Sequence, residues 1–359
     1  MNPSDLIPAT EAIPAPSGIF IALGLITFTL HILIINTILG GGLITLFSRL
    51  RSPDQENSDH FYYPAVNKIP TMFALGVNLG VAPLLFIQVI YGHLFYTSSI
   101  LMASFWIMII PLLIIAYYGA YIHARKYFPA PFLSKSAILI TILIVLYIGF
   151  IFVNNLSLMV QPEKWTIYFD NRSGIILNLS DITLMPRYLH FITASLAVGG
   201  LFLSLIWTIR QKKEVNGAAE RVKSGLKIFG YATLVQIGIG LWYLLTIPRD
   251  FMLQFMGGNI FYTIIFLIGF LTPIGAVFTA FKNKFRPTLI MFFVTIVCMG
   301  FIRYFLKIMY LDDHFSPDGL TIQPQYGVMA LFFIIFIAGL FSIAYMVKIA
   351  LSANRRRAV

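Results

Sequence analysis

Three histidines fall inside long apolar runs of this sequence: His31 in FTLHILIINTILGGG, His93 in VIYGHLFY and His190 in LMPRYLHFITASLAVGG. An imidazole surrounded by hydrocarbon is costly unless it is hydrogen-bonded or bound to a metal, and its ring nitrogens are common metal ligands. In the third run Arg187 precedes His190 by three residues, so the two share one helix face. That pairing suits a haem, which needs an imidazole for iron and cations where its propionates emerge. Arg303 and Lys307, four apart in GFIRYFLKIM, suit the same propionates; the alternative is that they snorkel to the interface or pair with Asp312 and Asp313. Met252, Met256 and Met299 are candidate axial ligands among 13 methionines. His60 and His314 fall in loops, and His123, beside Arg125 and Lys126, reads as a solvated interfacial residue.

The elements that must hold these side chains are membrane helices. Of 359 residues 58% are hydrophobic and 11% charged, a composition far from that of soluble domains. A span of about 30 Å of hydrocarbon takes roughly 20 helical residues. Such runs recur along the whole chain, over 19–48, 70–95, 100–122, 136–159, 187–209, 225–247, 259–282, 287–310 and 326–350. The expectation is an all-α, polytopic bundle of about nine transmembrane helices, forming a single domain over 1–359. With the N-terminus outside and the C-terminus cytoplasmic, all but six of the 25 lysines and arginines fall on the inner side, from Arg49 to Arg357. The six are Lys164, Arg172, Arg187, Arg249, Arg303 and Lys307, and the asymmetry follows the positive-inside rule. The net charge of +11 therefore reflects topology, and a nucleic-acid partner is not expected. The first apolar run has neither a basic start nor a cleavage site, so it is read as a retained helix.

The inner loops read as short and polar. The longest outer connection, VQPEKWTIYFDNRSGIILNLSDITLMPR, carries Trp165, Tyr168 and Phe169, which suit an interfacial aromatic belt, and puts Pro186 near the first turn of the fifth span. All 14 carboxylates, from Asp5 to Asp318 and including Asp54, fall in tails or loops. That removes acidic metal ligands and a carboxylate proton route from the membrane interior. The single cysteine, Cys298, excludes a disulfide framework, a CxxCH haem attachment and a protein-ligated iron–sulfur cluster. Gly76 and Gly80 have the spacing of helix packing, with cofactor clearance as the alternative.

The order of four stretches resembles subunit I of the cytochrome bd quinol oxidases: the histidine of FTLHILIINTILGGG, then MFALGVNLG, then IFVNNLSLMVQP with its asparagine, then RYLHFITASLAVGG. The likeness covers about the first 210 residues. It implies that His31 binds a high-spin haem, that His190 binds a low-spin haem b taking electrons from quinol, and that Asn154 matches the asparagine ending the fourth helix. Departures are equally specific. The paired glutamates are missing from LMASFWIMIIPLLIIAYYGAYIH, a further glutamate ligand is missing from TIVCMGFIRYFLKIM, and the Gly-Arg-Gln-Pro-Trp motif is absent. The long quinol loop is reduced to IPRDFMLQFMGGN, and NIFYTIIFLIGFLTPIG has no match for the methionine that completes low-spin ligation, which leaves His93 as the candidate sixth ligand.

These features together predict a haem b-binding subunit of a respiratory electron-transfer complex in the bacterial cytoplasmic (inner) membrane. It would relay electrons between the quinone pool and a redox partner, such as a multihaem cytochrome c or an iron–sulfur protein, without reducing oxygen itself. The cofactors expected are one or more haem b groups and a quinone. The alternatives are a degenerate partner subunit of a bd-like oxidase, and a non-redox anchor or transporter.

Overall fold

The computed structural model describes residues 3–51 and 55–356; Asp54 and Arg357 lie outside the described residues. Nine helices among these are long and apolar enough to cross a membrane. The helices in chain order are α1 Ser17–Arg51, α2 Gln55–Val66, α3 Ile69–Leu101, α4 Ala103–Arg125, α5 Pro131–Met159, α6 Leu184–Gln211, α7 Ala218–Thr246, a short α8 Arg249–Leu253, α9 Ile260–Phe281, α10 Phe285–Leu311 and α11 Tyr326–Arg356. All nine expected spans are present, most of them extended at one or both ends, because helices continue past the hydrocarbon into polar flanks. Proline in the first turn sets the starts of α3 and α5, where its missing N–H costs nothing. We call the end of the bundle at which α1 begins the N-face, and the end rich in lysine and arginine the basic face.

Two expectations need correction. The connection after α1 is no short polar loop: it folds into α2, because its aromatic run gains docking partners. Phe61 stacks on Trp207 of α6, with ring centres 6.0 Å apart, its carbonyl accepts the Trp207 indole N–H at 3.1 Å, and Tyr63 packs on Tyr127. Trp165 does not line an exposed belt. It is buried among α3 and α5 side chains, where its indole N–H donates to Leu158 O at 2.8 Å.

The bundle is organised by α1 and α6, which run parallel from the N-face and pack closely. A side chain at Gly40 of α1 would collide with the Ser195 carbonyl of α6, and one at Gly199 would meet the Gly40 carbonyl carbon at 2.6 Å. Just beside this crossing the Ser195 hydroxyl donates to Asn36 Oδ1 at 2.9 Å, in the buried seam. Around the pair, α3 covers α1, α7 covers α6, α5 touches both, and α9 and α10 form a hairpin against α7 and α1. Hydroxyl pairs Thr272–Thr295 (2.8 Å) and Thr279–Thr288 (2.9 Å) tie that hairpin. In contrast α11 is exposed along nearly all its described length. Its lead-in segment is held at the N-face by a β-bridge from Ile322 to Ile13.

Candidate functional site

At the N-face end of α6 a hydrogen-bonded loop fixes the start of the helix. Asn154 of α5 accepts the Asn178 amide N–H at 2.7 Å, and the Asn178 side chain donates to Ser157 Oγ and Gln161 Oε1, both at 2.9 Å. Asp181 then accepts from the Thr183 amide and hydroxyl, each at 2.8 Å, and from the Ser157 hydroxyl. Burial works against the Asp181 carboxylate, but those hydrogen bonds and nearby Arg187 together hold its pKa below the usual carboxylate range. Asn154 thus has a visible structural task in anchoring this loop, while its Nδ2 is buried without a partner.

Arg187 projects from the first turns of α6 and donates through Nη2 to Thr183 Oγ1 at 2.7 Å; its Nε is buried and unpartnered. The guanidinium carbon lies 5.6 Å from the centre of the Tyr243 ring on α7. From α10, Arg303 stacks on Phe28 of α1 at 3.9 Å, and Lys307 sits over Tyr91 of α3 at 3.7 Å. Arg303 is close enough to both Arg187 and Lys307 to feel their charge. The structure therefore gathers the three cations named from sequence into one cluster, with tyrosines 91, 243 and 310 around it. Neither Arg303 nor Lys307 forms an ion pair with Asp312 or Asp313. Asp181 is the carboxylate felt by Arg187, so the positive charge exceeds the negative, and an anion is the complementary occupant.

The histidines occupy separate seams. His190 faces α7: its Cε1 lies 3.3 Å from where a side chain of Gly240 would begin, and its Nδ1 is shut from solvent with no hydrogen-bond partner. Nearby, the Thr193 hydroxyl joins Gln236 across the same seam. His31 faces α3, with Nδ1 3.0 Å from Gly76 O and Cε1 only 2.7 Å from where a Gly80 side chain would begin. Gly76 itself meets Ile34, Ile35 and Ile38 of α1, which is helix packing. His31 and His190 share a depth, since each lies five residues, about 7.5 Å of rise, N-terminal to its partner in the Asn36–Ser195 bond. They do not share a seam. His93 packs edge-on against Phe315 at 4.7 Å, its Nε2 buried and unpartnered. Its helix α3 packs on α1, α4 and α5, whereas α6 packs on α1, α5 and α7.

No protein-family model matches the chain, and no curated protein matches it.

The remaining expected residues fall elsewhere. His123 is not solvated: it is fully buried, with Nδ1 2.8 Å from Ser134 Oγ of α5 and its ring edge-on to Tyr127. Met299 packs against Gly269 of α9, Met256 is exposed, and Met252 of α8 packs on the cluster around Phe255 and Phe305. Among the described residues no group of three or more His, Cys, Asp or Glu side chains is placed to hold a metal ion. A cofactor that brings its own equatorial ligands needs only one or two protein ligands, and an imidazole without a partner supplies one.

Sequence reasoning missed Tyr243, Tyr310 and Asp181 as neighbours of Arg187. Tyr243 carried a readable signal, a phenol one turn before the N-face end of its span, where an amphipathic ring usually finds a polar partner.

Proposed function

We propose that this chain is a haem b-binding membrane subunit of a respiratory electron-transfer complex in the bacterial cytoplasmic membrane, with its N-face outside. It relays electrons between the quinone pool and a periplasmic or membrane redox partner, such as a multihaem cytochrome c or an iron–sulfur protein. The observation that carries the reading is the His190 imidazole, whose Nδ1 is closed off without a hydrogen bond and which lies one turn from Arg187, a member of a cluster of three cations short of anions.

The residues present fit the group. An unpartnered imidazole in hydrocarbon is costly, and iron ligation removes that cost. Gly240 opposite His190 removes the side chain that would crowd the ring. Arg187, Arg303 and Lys307 supply the charge that two propionates require, and the guanidiniums suit carboxylate recognition. When bound, haem supplies a one-electron carrier. The protein's part would be to orient the His190 ring through the α6–α7 packing and to hold the propionates with Arg187, Arg303 and Lys307. His31 and His93 are further candidate ligands. His93 is the more exposed to this need, because its Nε2 has no partner while His31 has one in Gly76 O.

The test is a pyridine haemochrome assay with visible spectra on the purified full-length protein. A Soret band with haem b stoichiometry of at least one, reduced in His190→Ala, is expected. Protein purified from haem-replete cells with no Soret absorbance refutes the proposal.

A further inference from the structure

A groove of about 360 Å³ runs between α3 and α4 on the N-face half of the bundle, lined by Leu84, Gln88, Phe95, Ser99, Trp106 and Ile107. We propose that this groove is a binding site for the head of a lipid-soluble quinone, with the Gln88 amide and the Trp106 indole N–H as its hydrogen-bond donors. The proposal rests on the redox reading above only for the choice of a quinone as occupant.

Three observations carry it. First, Gln88 lies thirteen residues before the end of α3 at Leu101, which puts it roughly 20 Å along the helix from the N-face end. At that depth an amide side chain needs a partner, yet Gln88 makes no hydrogen bond with any described residue, and neither does the Trp106 indole. Second, Ser99 is already satisfied, since its Oγ donates to Phe95 O at 2.7 Å and accepts from Asn155 of α5 at 3.1 Å. The unused hydrogen-bonding capacity of the wall lies with Gln88, Trp106 and the Tyr96 hydroxyl. Third, the wall is aromatic and fixed. Trp106 is held by Phe95 at 5.5 Å and by Phe152 at 5.0 Å, and Gly92, on the same α3 stripe as Leu84, Gln88 and Phe95, contributes no side chain to fill the space.

Chemistry then selects the occupant. No charged residue lines the groove. The phosphate of a phospholipid has no counter-charge there and would be driven out by the surrounding hydrocarbon. An acyl chain would leave both N–H donors unpaired. A quinone brings carbonyl acceptors on a flat ring that stacks on aromatic side chains, and its apolar tail can stay in the bilayer; pockets of this size hold such head groups.

The probe is decylubiquinone, titrated into the purified full-length protein in nanodiscs and read by quenching of tryptophan fluorescence. Saturable quenching is expected, lost in amplitude in Trp106→Phe, with the dissociation constant raised about tenfold in Gln88→Leu, the loss of roughly one buried hydrogen bond. Gln88→Met serves as the second variant should the leucine fold poorly, and neither change removes a group that the fold uses. Quenching that grows in proportion to quinone without saturating means that the groove takes acyl chains of the bulk bilayer and overturns the proposal. An unchanged dissociation constant in both Gln88 variants also overturns it. The readout does not depend on iron. Saturable binding to protein that carries no haem sinks the haem reading alone, and haem-loaded protein without saturable binding sinks the groove alone.

Discussion

Replacing His190 by leucine separates a ligand from a bystander by the sign of its effect on stability. In the structure the His190 Nδ1 is closed off and unpaired. If the ring had no ligand, leucine would relieve a buried unsatisfied polar atom worth about 1–3 kcal/mol, and the variant would be more stable than the parent. If the ring binds haem iron, the variant also loses the stabilisation that a bound ligand gives to the folded state. That is about 2.7 kcal/mol for a ligand present at 100 times its dissociation constant, and more for tighter binding. The two contributions oppose one another, and ligand loss dominates for any tightly held haem. We therefore expect His190→Leu to melt at lower temperature than the parent and to lose Soret absorbance. His31→Leu should show a smaller change, because it gives up one hydrogen bond to Gly76 O, worth about 1 kcal/mol. The assay pairs intrinsic-fluorescence melting with the haemochrome spectrum on the same nanodisc samples. A His190→Leu protein that melts higher while keeping its haem content would refute the reasoning.

Arg303→Met should lower the haem midpoint potential, since a nearby cation favours the reduced state, and potentiometric titration reads the shift. Gly40→Ala should prevent close packing of α1 on α6 and cost about 3 kcal/mol in a denaturant titration, because the new carbon meets the Ser195 carbonyl. Asp181 has a folded pKa below its unfolded value, so its contribution to stability is complete above pH of about 4 and is lost as pH falls through the folded value. Melting curves between pH 7 and 3 should show that acid-side loss in the parent and a flatter profile in Asp181→Asn.

The nine spans were legible because hydrocarbon demands long apolar runs, and no tertiary detail can override that demand. Arg187, Arg303 and Lys307 were legible as residues near the N-face, since charge so close to an apolar run is rare enough to need a reason. Their convergence was not, because it depends on α10 rotating Arg303 toward Phe28 and on α7 presenting Tyr243. The burial of His123 was hidden for a similar reason. Its partner Ser134 belongs to the next helix, and adjacent Arg125 and Lys126 suggest water. In lipid every face of a span is apolar, so the pattern that tells a soluble helix which side to bury is missing. This is why nothing in its composition set the exposed α11 apart from its packed neighbours.

The seam between α1 and α6 also dictates an order of assembly. The Asn36–Ser195 hydrogen bond joins residues 159 apart in the chain. At a synthesis rate of about 5–20 residues per second, the first helix waits roughly 10–30 s for its partner. During that interval Asn36 lies in the nascent bundle with its amide oxygen unclaimed, while α3 has already been made and packs the other side of α1. The hairpin of α6 and α7 then docks onto a half-built platform. A chain arrested between α5 and α6 would expose a polar seam to lipid, and quality-control proteases would have a specific defect to read.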